Sequence, residues 1–387
     1  MKKLFASLWI CGLCLGLLLY SIFGVPKPSE TENTGDNGSN SSTTTQTPDI
    51  HLPPESTAQV RVMNTDPSRR AAWDKLAAEY SSLTGVRVAI LGNIDPRTPT
   101  LFPVDRAEAL DASQCADLSG TAAFAQLADM GLTLVVDGKY CGIAAEIDCF
   151  GLIFNENLLA EMATPGEIND INSFAALVQS IAARGYTPFA GRGLNDGVAA
   201  RLASIPAGIR SLAQLWVQYS AQEQDGSAME RFLNGEAVFY LGSTDEYDAI
   251  IAGGMEAVGI LPIYQDLDST SYRQQSLCVT ASRYWCVSTD ASEEDVTATL
   301  AFLDWLVTPS QDGHVPVDDL ELLAPYRQAS YYANPLEATL RQDLLAGKGL
   351  LICSNLTEPP TGFAEALAAF AQNPTDENWD KVEELKQ

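Results

Sequence analysis

Residues that could carry acid–base, nucleophilic or metal chemistry are scarce in this chain of 387 residues. It has only two histidines, His51 and His314, so histidine bases and imidazole metal ligands are poorly supplied. The P-loop, dinucleotide, zinc-protease and serine-hydrolase motifs are absent, and the stretch 191–193 (Gly-Arg-Gly) lacks the strand–turn–helix setting of a phosphate-binding loop. Cys-x-x-Cys occurs only within the first 25 residues. We therefore expect no catalytic residues, no metal site and no cofactor.

The charge of the chain argues against one class of partner. There are 50 acidic and 23 basic side chains, which give a formal charge of −27. Binding to phosphate backbones or anionic membrane surfaces requires clustered lysine and arginine. We expect no nucleic-acid partner. Carboxylates are so frequent that a chance pair of them does not indicate catalysis.

A few aromatic and polar residues in loop-like positions could instead bind a small polar ligand. Asn64 and Asp66 directly follow a predicted strand, and open α/β sheets bind ligands at the carboxyl ends of their strands. Tyr247, Tyr284 and Trp285 stand beside turn-forming residues. Aromatic faces suit the C–H faces of sugars, while Asn and Asp side chains bind hydroxyl groups. The alternative for each of these residues is an ordinary place in the core or on the surface.

The segment that carries Asn64 and Asp66 has the pattern of a βαβ unit. Gln59–Met63 is a predicted strand, Asp66 can cap the next helix, and Pro67 suits its first turn. Apolar residues then recur at helical spacing until Gly85, and 86–91 is a second predicted strand. A strand, a helix and a second strand of this length predict parallel strands with a right-handed crossover.

Helices and strands alternate along the rest of the folded part. One helix is predicted by an apolar stripe that begins at Phe174 and is closed by Gly185, and another is opened by Ser292 and ended by Pro309. Short apolar strands are predicted at 151–154, 237–241 and 258–261. This alternation predicts an α/β protein.

The N-terminal part predicts export. Residues 1–25 have the pattern of a signal peptide or a signal anchor, because two lysines precede the apolar stretch 4–23, which is long enough to span a bilayer. Cys11 and Cys14 leave lipid attachment open as well. Residues 26–57 are mostly Ser, Thr, Asn, Gly and Pro and predict a disordered tether. We expect the folded part outside the cell, either secreted or attached to the outer face of the membrane.

Several short motifs follow one another along the folded part. Asp137–Ile143 (DGKYCGI) and Gly151–Asn155 (GLIFN) form a turn-and-strand pair. After them come Ala183–Phe189 (ARGYTPF), Phe232–Ser243 (FLNGEAVFYLGS), Ala301–Val307 (AFLDWLV) and a closing segment at 374–386 with Trp379. Together, over residues 58–387, these motifs resemble the family 1 extracellular solute-binding proteins of ABC importers, the maltodextrin-binding class.

The resemblance implies a fold and a binding cleft. The fold is α/β and bilobal, of the periplasmic-binding-protein-like class II, with two lobes of mixed sheets joined by hinge strands. Lobe 1 would comprise 58–145 plus 280–324, and lobe 2 would comprise 146–279 plus 325–387. The cleft would add Glu146, Asp148 and Phe363 to the five candidate residues named above. Ala144 departs from the family pattern, which usually has proline after Gly-Ile.

The function implied is that of a monomeric binding protein without catalysis. It would capture a small polar solute, a mono- or oligosaccharide, and deliver it to the transmembrane subunits of an ABC permease, touching the membrane only through its N-terminal segment. A non-sugar solute such as a peptide, polyamine or metal chelate is the alternative, as is a degenerate or structural surface member of the family. An enzyme on the same fold would need a nucleophile and a base, for which Cys149 or Cys286 beside Glu146 is the candidate pair.

Cysteines on the two implied hinge strands suggest disulfides. Directly opposed residues of antiparallel strands have a constant index sum, and Cys141 with Cys286 has the same sum as Cys149 with Cys278. We therefore expect bonds Cys141–Cys286 and Cys149–Cys278, with unrelated buried thiols, or a bond Cys141–Cys149 across a turn, as the alternatives. Cys115 and Cys353 would be free, because the implied map places them in different lobes.

Overall fold

The computed structural model describes residues 57–105, 110–192, 197–221, 227–266, 275–356 and 358–386. The chain divides into the units Met1–His51 and Leu52–Gln387, and all the elements below belong to the second unit. The predicted export segment, 1–25, lies outside the described residues, as does the predicted tether except for Thr57.

Strands and helices alternate along the described residues. The strands are β1 Gln59–Met63, β2 Arg87–Leu91, β3 Leu101–Val104, β4 Thr133–Val136, β5 Lys139–Asn155, β6 Thr187–Arg192, β7 Ser220–Ala221, β8 Ala237–Ser243, β9 Val258–Leu261, β10 Ile263–Tyr264, β11 Gln275–Ser276, β12 Cys278–Val287 and β13 Leu351–Ile352. The helices are α1 Arg70–Thr84, α2 Ala122–Gln126, α3 Glu156–Ala160, α4 Ile171–Ala183, α5 Val198–Ser204, α6 Arg210–Tyr219, α7 Ala228–Leu233, α8 Tyr247–Ala252, α9 Glu293–Val307, α10 Pro335–Leu345, α11 Phe363–Gln372 and α12 Asp376–Glu384.

The predicted βαβ unit is confirmed. β1 and β2 pair in parallel, and the carboxylate of Asp66 accepts a hydrogen bond from the amide of Ser68 at 2.9 Å, capping the short 3-10 turn Pro67–Arg69 that leads into α1. Gly85 ends α1 in the left-handed conformation (φ 75°), which costs glycine no Cβ clash. The predicted helices opened near Phe174 and Ser292 are present as α4 and α9.

The main sheet is built around two long antiparallel strands, β5 and β12. Its order is β2-β1-β3-β12-β5-β8-β6-β7, with β13 pairing with β12 and β4 and β9 pairing with β5. Parallel pairs lie toward both ends of this order and antiparallel pairs lie in its middle, so the sheet is mixed. Strands β5 and β12 therefore connect the two outer parts of the sheet.

Helices and loops cover the sheet and bury β5 along almost its whole length. The larger apolar core packs around α1, α9 and the β1 end of the sheet and continues over α7, α8 and α10, and the other packs around α4, α6 and α11 at the β8 end. At Gly151 a Cβ atom would lie 2.5 Å from the carbonyl oxygen of Leu261, so glycine is what lets β9 approach β5. The lobe boundaries stay a prediction.

The register predicted for the cysteines is wrong by one residue. Cys286 lies opposite Gly142, and Cys149 lies opposite Val279. The physical reason is local packing: a Cβ atom on Gly142 would lie 3.0 Å from the sulfur of Cys286, so the sulfur uses the space above the glycine. Neither expected bond, Cys141–Cys286 or Cys149–Cys278, is formed in the structure, and all four side chains are buried.

Candidate functional site

A cavity lies at the carboxyl end of β1, beside the middle of β5 and β12. It encloses about 30 Å³, and about 350 Å³ of empty space when the part open to solvent is included. The enclosed volume is well below the roughly 300–1,000 Å³ of small-molecule sites. Its walls are formed by Met63, Asn64, Thr65, Asp66, Arg69, Trp73, Pro103, Ala145, Glu146, Arg283, Trp285 and Leu322.

The structure brings four of the predicted site residues together at this cavity: Asn64, Asp66, Glu146 and Trp285. The loop after β1 is ordered by its own polar groups. The amide of Asn64 donates to Leu91 O at 2.9 Å, and the amide of Asp66 donates to Asn64 Oδ1 at 3.1 Å. The loop after β1 thus presents these two side chains at the edge of the sheet, as expected for an open α/β sheet.

Arg69 joins the acidic residues of the cavity and was not predicted as a site residue. Its guanidinium lies 3.1 Å from Glu146 Oε1 and 3.4 Å from Asp66 Oδ2. Hydrogen bonds from Ser68, and more weakly the charges of Arg69 and Arg283, hold the pKa of Asp66 below its usual range. Only the fold brings Glu146 to Arg69, because 77 residues separate them.

Two tryptophans form the apolar part of the wall. The rings of Trp73 and Trp285 meet edge to face with centroids 6.2 Å apart, and Trp285 also stacks on Tyr326 at 6.5 Å. Trp73 is 5% exposed and Trp285 is 4% exposed, so only narrow strips of these rings face the cavity. Sequence reasoning placed Trp73 in the apolar stripe of α1, which is correct, but the same side chain also reaches the site.

The other predicted site residues lie elsewhere. Tyr284 neighbours Trp285 on β12, but its Cβ faces Gly142 and it packs against the small core of Val104, Leu134 and Cys286. Tyr247 begins α8 and packs against the larger core. Phe363 is fully buried at the start of α11, within the β8-end core, and does not line the cavity. The sequence pattern of an apolar residue at the start of a helix is the same whether the side chain lies in the core or in the cleft.

Asp148 lies two residues beyond Glu146 on β5, in a cluster of acidic side chains with Asp245 and Glu337. Burial raises its pKa to about 6, and the carboxylates of Asp245, Glu146 and Glu337 add to the rise. Asp148 does not line the cavity, and it carries a proton in mildly acidic solution.

Glu337 ties α10 to the loop after β8. Its carboxylate accepts the amide of Ala333 at 2.7 Å and the side-chain amide of Asn334 at 3.2 Å. The same Asn334 side chain donates to the carbonyl of Thr244 at 3.0 Å. Burial raises the pKa of Glu337, which is only 8% exposed. These bonds position the acidic group beside the hinge strand.

The candidate nucleophiles are poorly placed for chemistry. Cys149 is fully buried, its thiol lies 3.5 Å from Thr244 Oγ1, and burial raises its pKa to about 12. Burial also raises the pKa of Cys286 far above its ordinary value. A reactive cysteine has a lowered pKa and partial exposure, which neither thiol has.

Across the residues that the structure describes, no group of three or more His, Cys, Asp and Glu could hold a metal ion.

Comparison with known proteins identifies the family. The family model for bacterial extracellular solute-binding proteins matches residues 55–313. The chain belongs to this family. Among curated protein sequences none matches it. Within the described part of the chain, no helix is long and apolar enough to cross a membrane.

Solved structures share the fold at low sequence identity. A family 1 extracellular solute-binding protein from Bifidobacterium longum subsp. infantis matches with a TM-score of 0.60 and 13% identity, over 85% of this chain and 98% of that one. The cyclic α-maltosyl-1,6-maltose binding protein from Arthrobacter globiformis matches with 0.60 and 14%, over 85% and 98%. The apo-form of RafE from Streptococcus pneumoniae matches with 0.59 and 12%, over 86% and 97%. The predicted bilobal α/β fold is therefore confirmed.

Proposed function

We propose that this solute-binding protein captures a mono- or oligosaccharide at the cavity and delivers it to an ABC permease. The observation that supports it best is the composition of the cavity wall. An ion-paired set of Asp66, Arg69 and Glu146 stands beside the edges of Trp73 and Trp285. One of the structurally similar proteins is named for binding a cyclic maltosyl-maltose.

The chemistry of the wall suits hydroxyl groups. Glu146 and Asp66 are acceptors, Arg69 and Arg283 are donors, and Asn64 offers both kinds of group. Hydrogen bonds to charged groups are the stronger ones, so a sugar with hydroxyls between Arg69 and Glu146 would gain affinity there. Tryptophan contributes an apolar edge for C–H groups.

A thermal-shift screen of the full-length chain against mono- and oligosaccharides tests the proposal. A sugar at about a hundred times its dissociation constant should stabilise the protein by about 2.7 kcal/mol. Glu146→Gln should weaken the binding of the same sugar by about 10- to 100-fold, because a charged hydrogen-bond acceptor becomes neutral. Glu377→Gln is the matched control, since it removes an exposed helical ion pair with Lys381, 3.1 Å long, on α12, and should leave affinity unchanged.

Sugars that give no shift at any concentration would contradict the proposal, as would equal effects of Glu146→Gln and Glu377→Gln. A second candidate is a cationic solute such as a polyamine, favoured by the carboxylates of Asp148, Asp245 and Glu337, which lie near the cavity residue Glu146. A shift with polyamines and none with sugars would establish that alternative.

Location and delivery belong to the same proposal. The family is extracellular, and the apolar stretch 4–23 supports attachment to the outer face of the membrane. Cell fractionation compares the full chain with a variant that lacks residues 1–25. The full chain should be found in the membrane fraction, and the variant should stay inside the cell, unexported. Equal distribution of both would contradict the anchor.

A further inference from the structure

The six cysteines of the folded part are all buried, and they fall into two groups of three. Cys115, Cys141 and Cys286 lie near the start of β5, and Cys149, Cys278 and Cys353 lie near the start of β12. Extracellular proteins work in an oxidising environment, where neighbouring thiols form disulfides. The geometry of the two groups differs, and one of them suits a bond better than the other.

In the first group, backbone hydrogen bonds hold Cys115 against the start of β5. Cys115 forms an antiparallel bridge with Ser288. On its C-terminal side the amide of Ala116 donates to Val287 O at 2.8 Å, and the amide of Leu118 donates to Tyr140 O at 2.9 Å. The segment that contains Cys115 is therefore inserted between β12 and the first residues of β5.

Cys141 is turned by an irregularity of its own strand. Along β4 and β5, Leu134 pairs with Gly142 while the next residue, Val135, pairs with Tyr140. Cys141 is therefore the extra residue of a β-bulge, and bulges re-aim side chains. Its thiol lies beside that of Cys115: burial and the neighbouring Cys141 raise the pKa of Cys115 to about 11. The ammonium of Lys139 binds the carbonyl of Cys115 and opposes that rise.

We propose that Cys115 and Cys141 form a disulfide bond in the exported protein. An exported thiol–disulfide oxidoreductase in its disulfide form would be the oxidant. The Cys115 thiolate attacks one sulfur of that disulfide and expels the other as a thiolate, which forms a mixed disulfide. The Cys141 thiolate then attacks the Cys115 sulfur, forming the protein disulfide and releasing the reduced oxidoreductase, while the two cysteine protons pass to solvent. Both thiols are buried in the folded chain, so the reaction belongs to folding after export.

The second group also contains neighbouring thiols, because the side chains of Cys278 and Cys353 lie within hydrogen-bonding reach of each other. Their backbones suit a bond less well: Cys278 lies opposite Leu351 in the parallel pair of β12 and β13, so Cys353 is its diagonal neighbour. Diagonal neighbours are about 7–8 Å apart between Cα atoms, beyond the usual disulfide range of about 4.4–6.8 Å. Cys149 lies opposite Val279 on β12, and its thiol contacts Thr244. In the first group Cys286 remains as the third thiol, directly opposite Gly142.

Peptide mapping under non-reducing conditions tests the pairing. The full chain, exported from cells or refolded with oxidised glutathione, is denatured, alkylated and digested. The result expected is one peptide that joins Cys115 to Cys141, with Cys149, Cys278, Cys286 and Cys353 alkylated. A peptide that joins Cys286 to either partner, or alkylation of all six residues, would overturn the proposal. Mapping uses the unaltered protein and does not depend on any variant folding.

A stability measurement checks the consequence. The bond closes the loop 115–141, and reduction should lower the unfolding midpoint of the unaltered protein by about 5 °C. The same reductant should leave the midpoint of Cys115→Ser and of Cys141→Ser unchanged, while Cys353→Ser should respond like the unaltered protein. Equal responses to reductant in all four proteins would overturn the proposal.

Discussion

Replacing Asp148 by asparagine should stabilise the protein above about pH 6 and should have little effect in acid. Asp148 lies on the hinge strand β5, opposite Thr280 of β12. The carboxylates that face it are Asp245 after β8, Glu337 on α10 and Glu146 on its own strand. Asparagine keeps the shape and the hydrogen-bonding capacity of the side chain but carries no charge.

The size of the effect follows from the pKa. Burial and the neighbouring carboxylates raise the pKa of Asp148 from 3.8 to about 6. The folded state therefore binds this proton more tightly than the unfolded chain, and stability falls as the pH rises from about 4 to about 6. Above that window the ionised Asp148 lowers the free energy of unfolding by its full amount, about 3 kcal/mol, because each unit of pKa shift corresponds to about 1.36 kcal/mol. Asparagine removes this cost.

Urea unfolding of the unaltered protein and of Asp148→Asn at about pH 4 and about pH 7.5 measures the difference. We expect near-equal free energies of unfolding at the lower pH and a gain of about 3 kcal/mol for the variant at the higher one. Asp380→Asn is the control, because Asp380 is exposed on α12. A variant no more stable than the parent at the higher pH, or a difference that does not depend on pH, would refute the reasoning.

Two further substitutions test the hinge strand. Gly151→Ala should destabilise the protein by about 2–4 kcal/mol in urea unfolding, because the added Cβ atom would lie 2.5 Å from Leu261 O. Gly120→Ala is the control, because a Cβ atom there would meet nothing within 4 Å. Similar losses for both would contradict the steric argument. Tyr326→Phe should cost about 1–3 kcal/mol, since its hydroxyl donates to Ala144 O at 2.9 Å in the core, and no loss would show that bond to be unimportant.

Local signals explain why the first βαβ unit was predictable. The cap at Asp66, the stripe of α1 and the left-handed Gly85 act within a few residues, so their pattern survives in sequence. The position of Asn64 and Asp66 followed from the same unit, because a loop after a parallel strand lies at the carboxyl edge of the sheet. These two residues are where local structure and site coincide.

Other parts of the site depended on contacts between distant residues. The pair Arg69–Glu146 joins α1's leading turn to β5, and nothing in either neighbourhood indicates the other. Phe363 shows the reverse failure: an aromatic residue that the family pattern placed near the cleft is used entirely in the core. An apolar side chain gains free energy from burial in either place, so composition alone cannot separate the two.

The cysteines mark the boundary between the two kinds of information. The sequence by itself determined that six cysteines occur in the folded α/β part, and the family resemblance placed four of them on the two strands that connect the halves of the sheet. Only the tertiary structure decided which thiols meet. A one-residue change of register alters every partner across a ladder, and the bulge at Cys141 turns one side chain without any local sequence signal, because backbone pairing and packing set both.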